Sequence, residues 1–173
     1  MLTRLTIAFI KTIDTTSERL GQAISCLVPV LVFLTSYDVA MRYAFHSGSV
    51  ALQELEWHLF ALIFLLSAGY TLKHNDHVRV DVVYASGWIT DRQRAWINLI
   101  GTLVFLLPFC LLVVTASWQF VADAYAYGEH SPDPGGLPHR WLLKAAIPAG
   151  FGLLALQGIA EALKNWLRIL EPH

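Results

Sequence analysis

The sequence predicts an all-α integral membrane protein whose four helices cross the bilayer. Three observations predict this fold class: four long apolar runs, short charged connectors between them, and a hydrophobic share of 55% in 173 residues. The mean hydropathy of +0.51 indicates a chain far more apolar than a soluble domain of this size. The chain leaves no room for a second domain, so we expect one four-helix domain over residues 1–173.

The first predicted element is an amphipathic helix over residues 2–13. At about 100° per residue, Leu5, Phe9 and Ile13 share one face, and Arg4 and Lys11 lie opposite. This pattern favours a helix lying in the membrane interface over a frayed tail or a signal peptide. The sequence TTSE at 15–18 is typical of a capping box, so we expect a turn before the first span.

Four transmembrane spans follow, at residues 20–42, 52–73, 94–125 and 141–167. Each exceeds or matches the roughly 20 apolar residues that cross the hydrocarbon core as a helix. Pro29, Pro108 and Pro148 lie in the first, third and fourth spans. Each proline removes a backbone hydrogen bond, so we expect bends that neighbouring helices accommodate.

The middles of the spans contain no Asp, Glu, Lys, Arg or His; these are residues 24–36, 59–71, 99–117 and 145–160. A pathway for an ion or polar substrate normally needs such groups at that depth. The sequence therefore predicts a membrane partner of another protein rather than a carrier in itself.

Basic residues predict the orientation of the spans. Nine of the twelve Lys and Arg residues lie at the N-terminus, in the loop after the second span, or near the C-terminus. Only Arg42, Arg140 and Lys144 lie on the other side. Because basic residues concentrate on the cytoplasmic side of membrane proteins, we expect both termini in the cytoplasm.

Ionisable residues collect at the predicted outer boundary. Asp38 and Arg42 lie one helical turn apart, and the short connector after them should return Glu54 and Glu56 close to Arg42. We interpret the group as ion pairs that fix helix register or contact another subunit, rather than as a substrate site. Its members are Asp38, Arg42, Glu54, Glu56, Asp123, Arg140 and Lys144.

Other function classes find less support. A b-type cytochrome needs axial ligands at matched depths, and only His58 lies within a span, leaving an awkward pairing with His139. No hydrolase motif such as G-x-S-x-G or H-E-x-x-H occurs, so we expect no enzyme activity. Cys26 and Cys110 lie in apolar runs, where we expect no disulfide or haem attachment. The alternative that this chain is a small transporter acting alone, as an oligomer, stays open.

Several short motifs point to one family. Glu54-Leu55 is followed by LLSAGYTLK at 65–73 and HVRVD at 77–81, and the fourth span contains IPAGF at 147–151. With the length, the four spans and the order of the motifs, nearly the whole chain resembles the small, Q-type membrane subunit of tripartite ATP-independent periplasmic (TRAP) transporters.

The resemblance implies a three-part importer in the bacterial inner membrane. A soluble periplasmic protein would capture an organic anion, and a large membrane subunit would carry it inward with sodium. This chain would hold the large subunit in a stable heterodimer as a static scaffold, with membrane lipids around both and transient contact with the periplasmic protein. Sodium would bind the large subunit, so no cofactor is expected here, and the net charge of −1 argues against nucleic acid as a partner.

Two further features follow from the resemblance. His77 and Asp81 match a family motif, and their loop position favours helix-end capping or subunit contact. The sequence SPDPGGLP at 131–138, followed by Arg140 and Trp141, is similar to a subgroup associated with uptake of 2-oxoacids or aromatic acids. The loop that contains it is expected to be a shaped turn that could touch the periplasmic protein.

Overall fold

The computed structural model describes residues 2–76 and 89–170. The described residues form α1 (Leu2–Ser25), α2 (Leu27–Ala44), α3 (Val50–His74), α4 (Asp91–Gly101), a π-helical turn (Thr102–Leu106), α5 (Leu107–Ala126) and α6 (Trp141–Leu170). No strand occurs in this part of the chain. Four helical stretches are long and apolar enough to cross a membrane: Arg4–Ala44, Val50–His74, Asp91–Ala126 and Trp141–Leu170. This confirms the predicted all-α fold with four candidate spans.

The N-terminal helix does not end where the sequence predicted. α1 continues through residues 15–18, and the hydroxyls of Thr15 and Thr16 donate to backbone carbonyls four residues earlier, at 2.7 and 2.9 Å. The capping-box prediction was wrong because these hydroxyls find acceptors inside the helix, where no cap is needed. The break comes at Cys26 instead, and Pro29 lies in the first turn of α2, where a missing N–H costs little.

The other two prolines are accommodated differently. A π-helical turn precedes Pro108, and the N–H of Leu107 donates to the carbonyl of Thr102, five residues earlier. This wider turn shifts the hydrogen-bond pattern just before the residue that cannot donate. Pro148 lies inside α6, which continues as one helix on both sides of it.

α6 is the central helix of the fold. It contacts α1, α3, α4 and α5, whereas α2 packs against α3 and, over a smaller area, against α1. Gly150 allows α3 and α6 to approach closely, and Gly69 lies at the same crossing in ordinary van der Waals contact. A Cβ atom on Gly150 would lie 2.5 Å from the carbonyl oxygen of Leu65, and one on Gly69 would lie 3.5 Å from that of Leu153. Small residues at such crossings are typical of packed membrane helices, and both glycines belong to the motifs noted above.

The outer surface of the protein is largely apolar. Phe33, Phe64 and Phe105 are 78%, 68% and 72% exposed. The buried apolar residues are few, and one cluster of them joins α4 to α6 through Ala95, Leu99, Ala162 and Ile169. Side chains of this kind and number are stable only against lipid or another membrane protein, so the exposed surface agrees with a membrane location.

The bundle has two distinct ends. At one, called the α1 end, α1 lies against the last turns of α3 and α6. At the other, called the loop end, the first turns of α3 lie against the loop 127–140.

Candidate subunit-contact sites

The ion pair between Asp38 and Arg42 at the loop end is present, as predicted. The Asp38 side chain is 1% exposed, whereas that of Arg42 is 44% exposed. The second carboxylate oxygen of Asp38 is buried without a hydrogen-bond partner among the described residues. The pair therefore holds a carboxylate inside the protein and presents its guanidinium at the surface.

Glu54 does not turn toward Arg42, and the prediction that brought these two residues together was wrong. Glu54 is 5% exposed, and its carboxylate accepts hydrogen bonds from the Ser131 hydroxyl and from the backbone N–H of Leu137, the latter at 2.6 Å. Helical spacing explains the difference, because residue 54 shares a face of α3 with Gly69, which packs against α6. Glu54 thus faces the loop that leads into α6.

The loop 127–140 is held in a defined shape. The N–H of Ser131 donates to the carbonyl of Leu137 at 3.2 Å, and the N–H of Arg140 donates to that of Glu129, also at 3.2 Å. Lys144 forms an ion pair with Glu129. With the two bonds to Glu54, these contacts fix both arms of the loop and leave its tip, residues 132–135, exposed.

The remaining predicted residues make contacts of different kinds. Asp123 is exposed and accepts a 2.8 Å hydrogen bond from Gln119, and the Arg140 guanidinium lies 5.6 Å from the ring centroid of Trp57. One carboxylate oxygen of Glu56 is buried without a hydrogen-bond partner in the described part of the chain. The predicted group therefore divides: Glu54, Arg140 and Lys144 meet at the loop 127–140, whereas the Asp38–Arg42 pair and Asp123 make separate contacts. His77 and Asp81 lie outside the described residues.

A second polar site, at the α1 end, was not predicted. Gln157 is fully buried between α6 and α1. Its side-chain oxygen accepts from Ser17 at 2.7 Å, and its amide nitrogen donates to Asp14 at 2.9 Å and to Glu161 at 3.1 Å. Lys164 completes the site with ion pairs to Asp14 and Glu161, at 2.8 and 2.7 Å.

Glu18 links α1 to α3. Its carboxylate lies 2.5 Å from the Lys73 ammonium and 2.8 Å from the His74 ring nitrogen. Asp14, Ser17 and Glu18 have the i, i+3, i+4 spacing of one helix face. That spacing, together with a glutamine inside the apolar fourth span, was the sequence signal for this contact.

Comparison with known proteins identifies the chain. A family model described as "Tripartite ATP-independent periplasmic transporters, DctQ component" matches residues 31–168. The chain belongs to this family. It is the small permease subunit of a TRAP transporter, which confirms the resemblance seen in the sequence.

Two small permeases named in other bacteria are similar to this one along most of their length. A TRAP transporter small permease protein of Haemophilus influenzae is 30% identical over 140 residues, which cover 80% of this chain and 81% of the relative. The ectoine TRAP transporter small permease protein TeaB of Halomonas elongata is 28% identical over 156 residues, or 89% and 78% of the two chains. Small permeases of this kind work with a large membrane subunit and a periplasmic binding protein.

The family match covers the loop end of this DctQ subunit completely and begins after α1. Gly69, Gly150 and Gln157 lie inside the matched residues, whereas Asp14 and Ser17 precede them. The polar contact at the α1 end thus joins a helix outside the match to one inside it.

The geometry gives no support to the cytochrome alternative. The Nδ1 atom of His58 lies 2.5 Å from the backbone carbonyl of Glu54, and the His139 ring lies 6.3 Å from that of His130. In the residues that the structure describes, no three His, Cys, Asp or Glu side chains could together hold a metal ion. A DctQ subunit is a transporter component, and the family assignment favours that class over electron transfer.

Proposed function

We propose that this small permease is a static scaffold for the large membrane subunit of a sodium-coupled symporter that imports an organic acid. One observation carries the proposal: the central segments of all four spans lack ionisable residues, and the ionisable contacts lie at the two ends. Moving an anion or a sodium ion through the bilayer requires polar groups at its middle. The large subunit would supply these groups and bind the sodium ions.

The apolar faces of the subunit support a second membrane protein as its partner. α2 packs on one side only, and Phe33, Tyr37 and Tyr43 on it are 78%, 55% and 76% exposed. Contact with the large subunit would bury such rings in a stable heterodimer, with lipid around the remaining surface. The residues at the loop end would then fix the shape of the scaffold.

The proposed location is the inner membrane of a bacterium, with both termini in the cytoplasm and α1 at the membrane interface. The nine-to-three distribution of basic residues supports this orientation. It directs the loop 127–140 toward the periplasm, where its exposed tip would touch the binding protein transiently. The substrate class rests on the loop sequence alone, which favours a 2-oxoacid or an aromatic acid.

Reporter fusions test the orientation. A reporter after His173 should show a cytoplasmic signal, and one inserted after Gly135, at the exposed loop tip, should show a periplasmic signal. Both sites avoid the described helices, so the insertions should leave the spans intact. A periplasmic C-terminus would contradict the proposed topology.

Transport assays test the scaffold role. The chain should copurify with the large subunit, and uptake in proteoliposomes should require both membrane subunits and the binding protein. Conservative substitutions at Asp38, Glu56, Asp123 or Lys144 should change yield or maximal rate through assembly, and leave substrate preference unchanged. Uptake by this chain alone, or a substitution that switches the imported acid, would refute the scaffold role.

A further inference from the structure

The exposed side of α1 carries three basic residues spaced along the helix. Arg4, Lys11 and Arg19 are all exposed, and none of them makes a hydrogen bond or ion pair within residues 2–76 and 89–170. Their separations of seven and eight residues place them on one side of the helix, about 10 and 12 Å apart along its axis. At roughly one Debye length, the three charges repel each other weakly.

The contacts at the α1 end fix which side of α1 faces outward. Asp14, Ser17 and Glu18 point to the bundle, where α6 and α3 bind them. Rotation of α1 about its axis would break these contacts. Lys11 and Arg19 therefore keep their places between two grooves, one shared with Asp14, Glu18 and Lys73 and one on the outward side. The acids of α1 form ion pairs there, Asp14 with Lys164 and Glu18 with Lys73, and neither forms one with Lys11 or Arg19 in the described residues.

A shallow groove of about 460 Å³ lies on this basic side. Lys11 and Arg19 line it together with threonines, among them Thr12 and Thr15. The hydroxyls of these threonines donate to carbonyls of their own helix at 3.0 and 2.7 Å. The ammonium and guanidinium groups are therefore the hydrogen-bond donors that remain for a bound molecule.

Apolar residues border the basic side of the helix. Leu5 is 62% exposed and Phe9 is 39% exposed. The helical period places both next to Arg19, on the far side of α1 from Arg4 and Lys11. A surface that combines cations with exposed apolar side chains matches the boundary between lipid headgroups and acyl chains. A soluble anion would leave Leu5 and Phe9 in water.

We propose that the outward side of α1 binds the headgroups of acidic phospholipids. A guanidinium can bind a phosphate through two hydrogen bonds, and an ammonium attracts it as a point charge. An acidic headgroup is favoured over a zwitterionic one, because the ammonium of the latter is repelled by the same cations. The inference rests on the proposed position of α1 at the membrane interface, and it adds a lipid requirement to the proposed function.

Native mass spectrometry of the full-length chain tests this binding. The delipidated protein in mild detergent receives phosphatidylglycerol and phosphatidylethanolamine in equal amounts, and the bound lipids are counted. The unsubstituted chain should prefer phosphatidylglycerol. Each cation near an acidic surface contributes about fivefold, so Lys11→Gln with Arg19→Gln should lower the preference roughly 25-fold. Lys11→Arg with Arg19→Lys should retain most of it.

A matched variant separates the site from net charge. Arg92→Gln with Arg168→Gln removes two exposed cations from the same end of the bundle and should leave the preference unchanged. An equal loss in this variant would show a general charge effect and overturn the proposal. So would the absence of a preference in the unsubstituted chain, or its persistence in Lys11→Gln with Arg19→Gln.

Two further measurements identify the occupant. Inorganic phosphate should not displace the lipid, and full competition by it would indicate a free-anion site instead. Copurification of the large subunit is recorded for every variant. If Lys11→Gln with Arg19→Gln loses the large subunit while lipid preference is unchanged, a protein covers this face and the lipid inference is wrong. If the unsubstituted chain prefers acidic lipid but never binds a large subunit, the scaffold proposal fails and the lipid inference stands.

Discussion

Glu54 should control the shape of the loop 127–140. In Glu54→Ala, the Ser131 hydroxyl and the Leu137 N–H lose their common acceptor. A hydrogen bond to a charged group contributes about 1.5 to 3 kcal/mol, and water at the membrane boundary recovers part of it. The lower value for each bond gives about 3 kcal/mol, which raises the opening equilibrium constant of the loop roughly 150-fold.

Hydrogen exchange measures this opening directly. The hydrogen-bonded backbone N–H groups of Ser131, Gly136 and Leu137 should exchange roughly 150-fold faster in Glu54→Ala, while the α6 amides keep their protection. Glu54→Gln keeps a neutral acceptor, so about 1.5 kcal/mol and a roughly tenfold change are expected. Asp123→Ala is the matched control, because this carboxylate lies at the same end and bonds Gln119. Unchanged loop exchange in Glu54→Ala, or equal acceleration in the control, would refute the reasoning.

Two other substitutions test the contacts of α6. Gly150→Ala should destabilise the chain by about 1 to 3 kcal/mol in thermal unfolding, because its new methyl group would meet the Leu65 backbone. Gly152→Ala, which meets nothing within 4 Å, should be neutral or stabilising, and an equal loss in both variants would contradict the close crossing. Gln157→Leu should cost about 1 to 3 kcal/mol and expose α1 to protease, since Ser17 would lose its buried acceptor; undiminished protection of α1 would argue against this contact.

The sequence was sufficient for the fold class and insufficient for the partners of its polar residues. Length and hydropathy predict the four spans because the bilayer imposes both on any crossing helix. The pairing of Asp38 with Arg42 was also predictable, since residues four apart on one helix are neighbours by geometry. Both predictions depend on local spacing alone.

Local spacing does not predict which distant segments come into contact. Glu54 lies 77 residues from Ser131, and the sequence does not state which neighbour its face of α3 meets. The capping-box prediction for TTSE at 15–18 was wrong for the same reason. The Ser17 hydroxyl donates to Gln157, 140 residues away, and the Glu18 carboxylate accepts from Lys73. Tertiary contacts outweighed a local capping preference worth about 1 kcal/mol.

The central position of α6 bears on how the protein is made. The ribosome synthesises α6 after the other described helices, so α1 to α3 and α4 to α5 enter the membrane before the helix that joins them exists. In the described part of the chain, these two groups share no extended interface of their own. A nascent chain that stops before Trp141 is therefore two separate helical pieces, and losing the 30 residues of α6 removes the fold rather than shortening it.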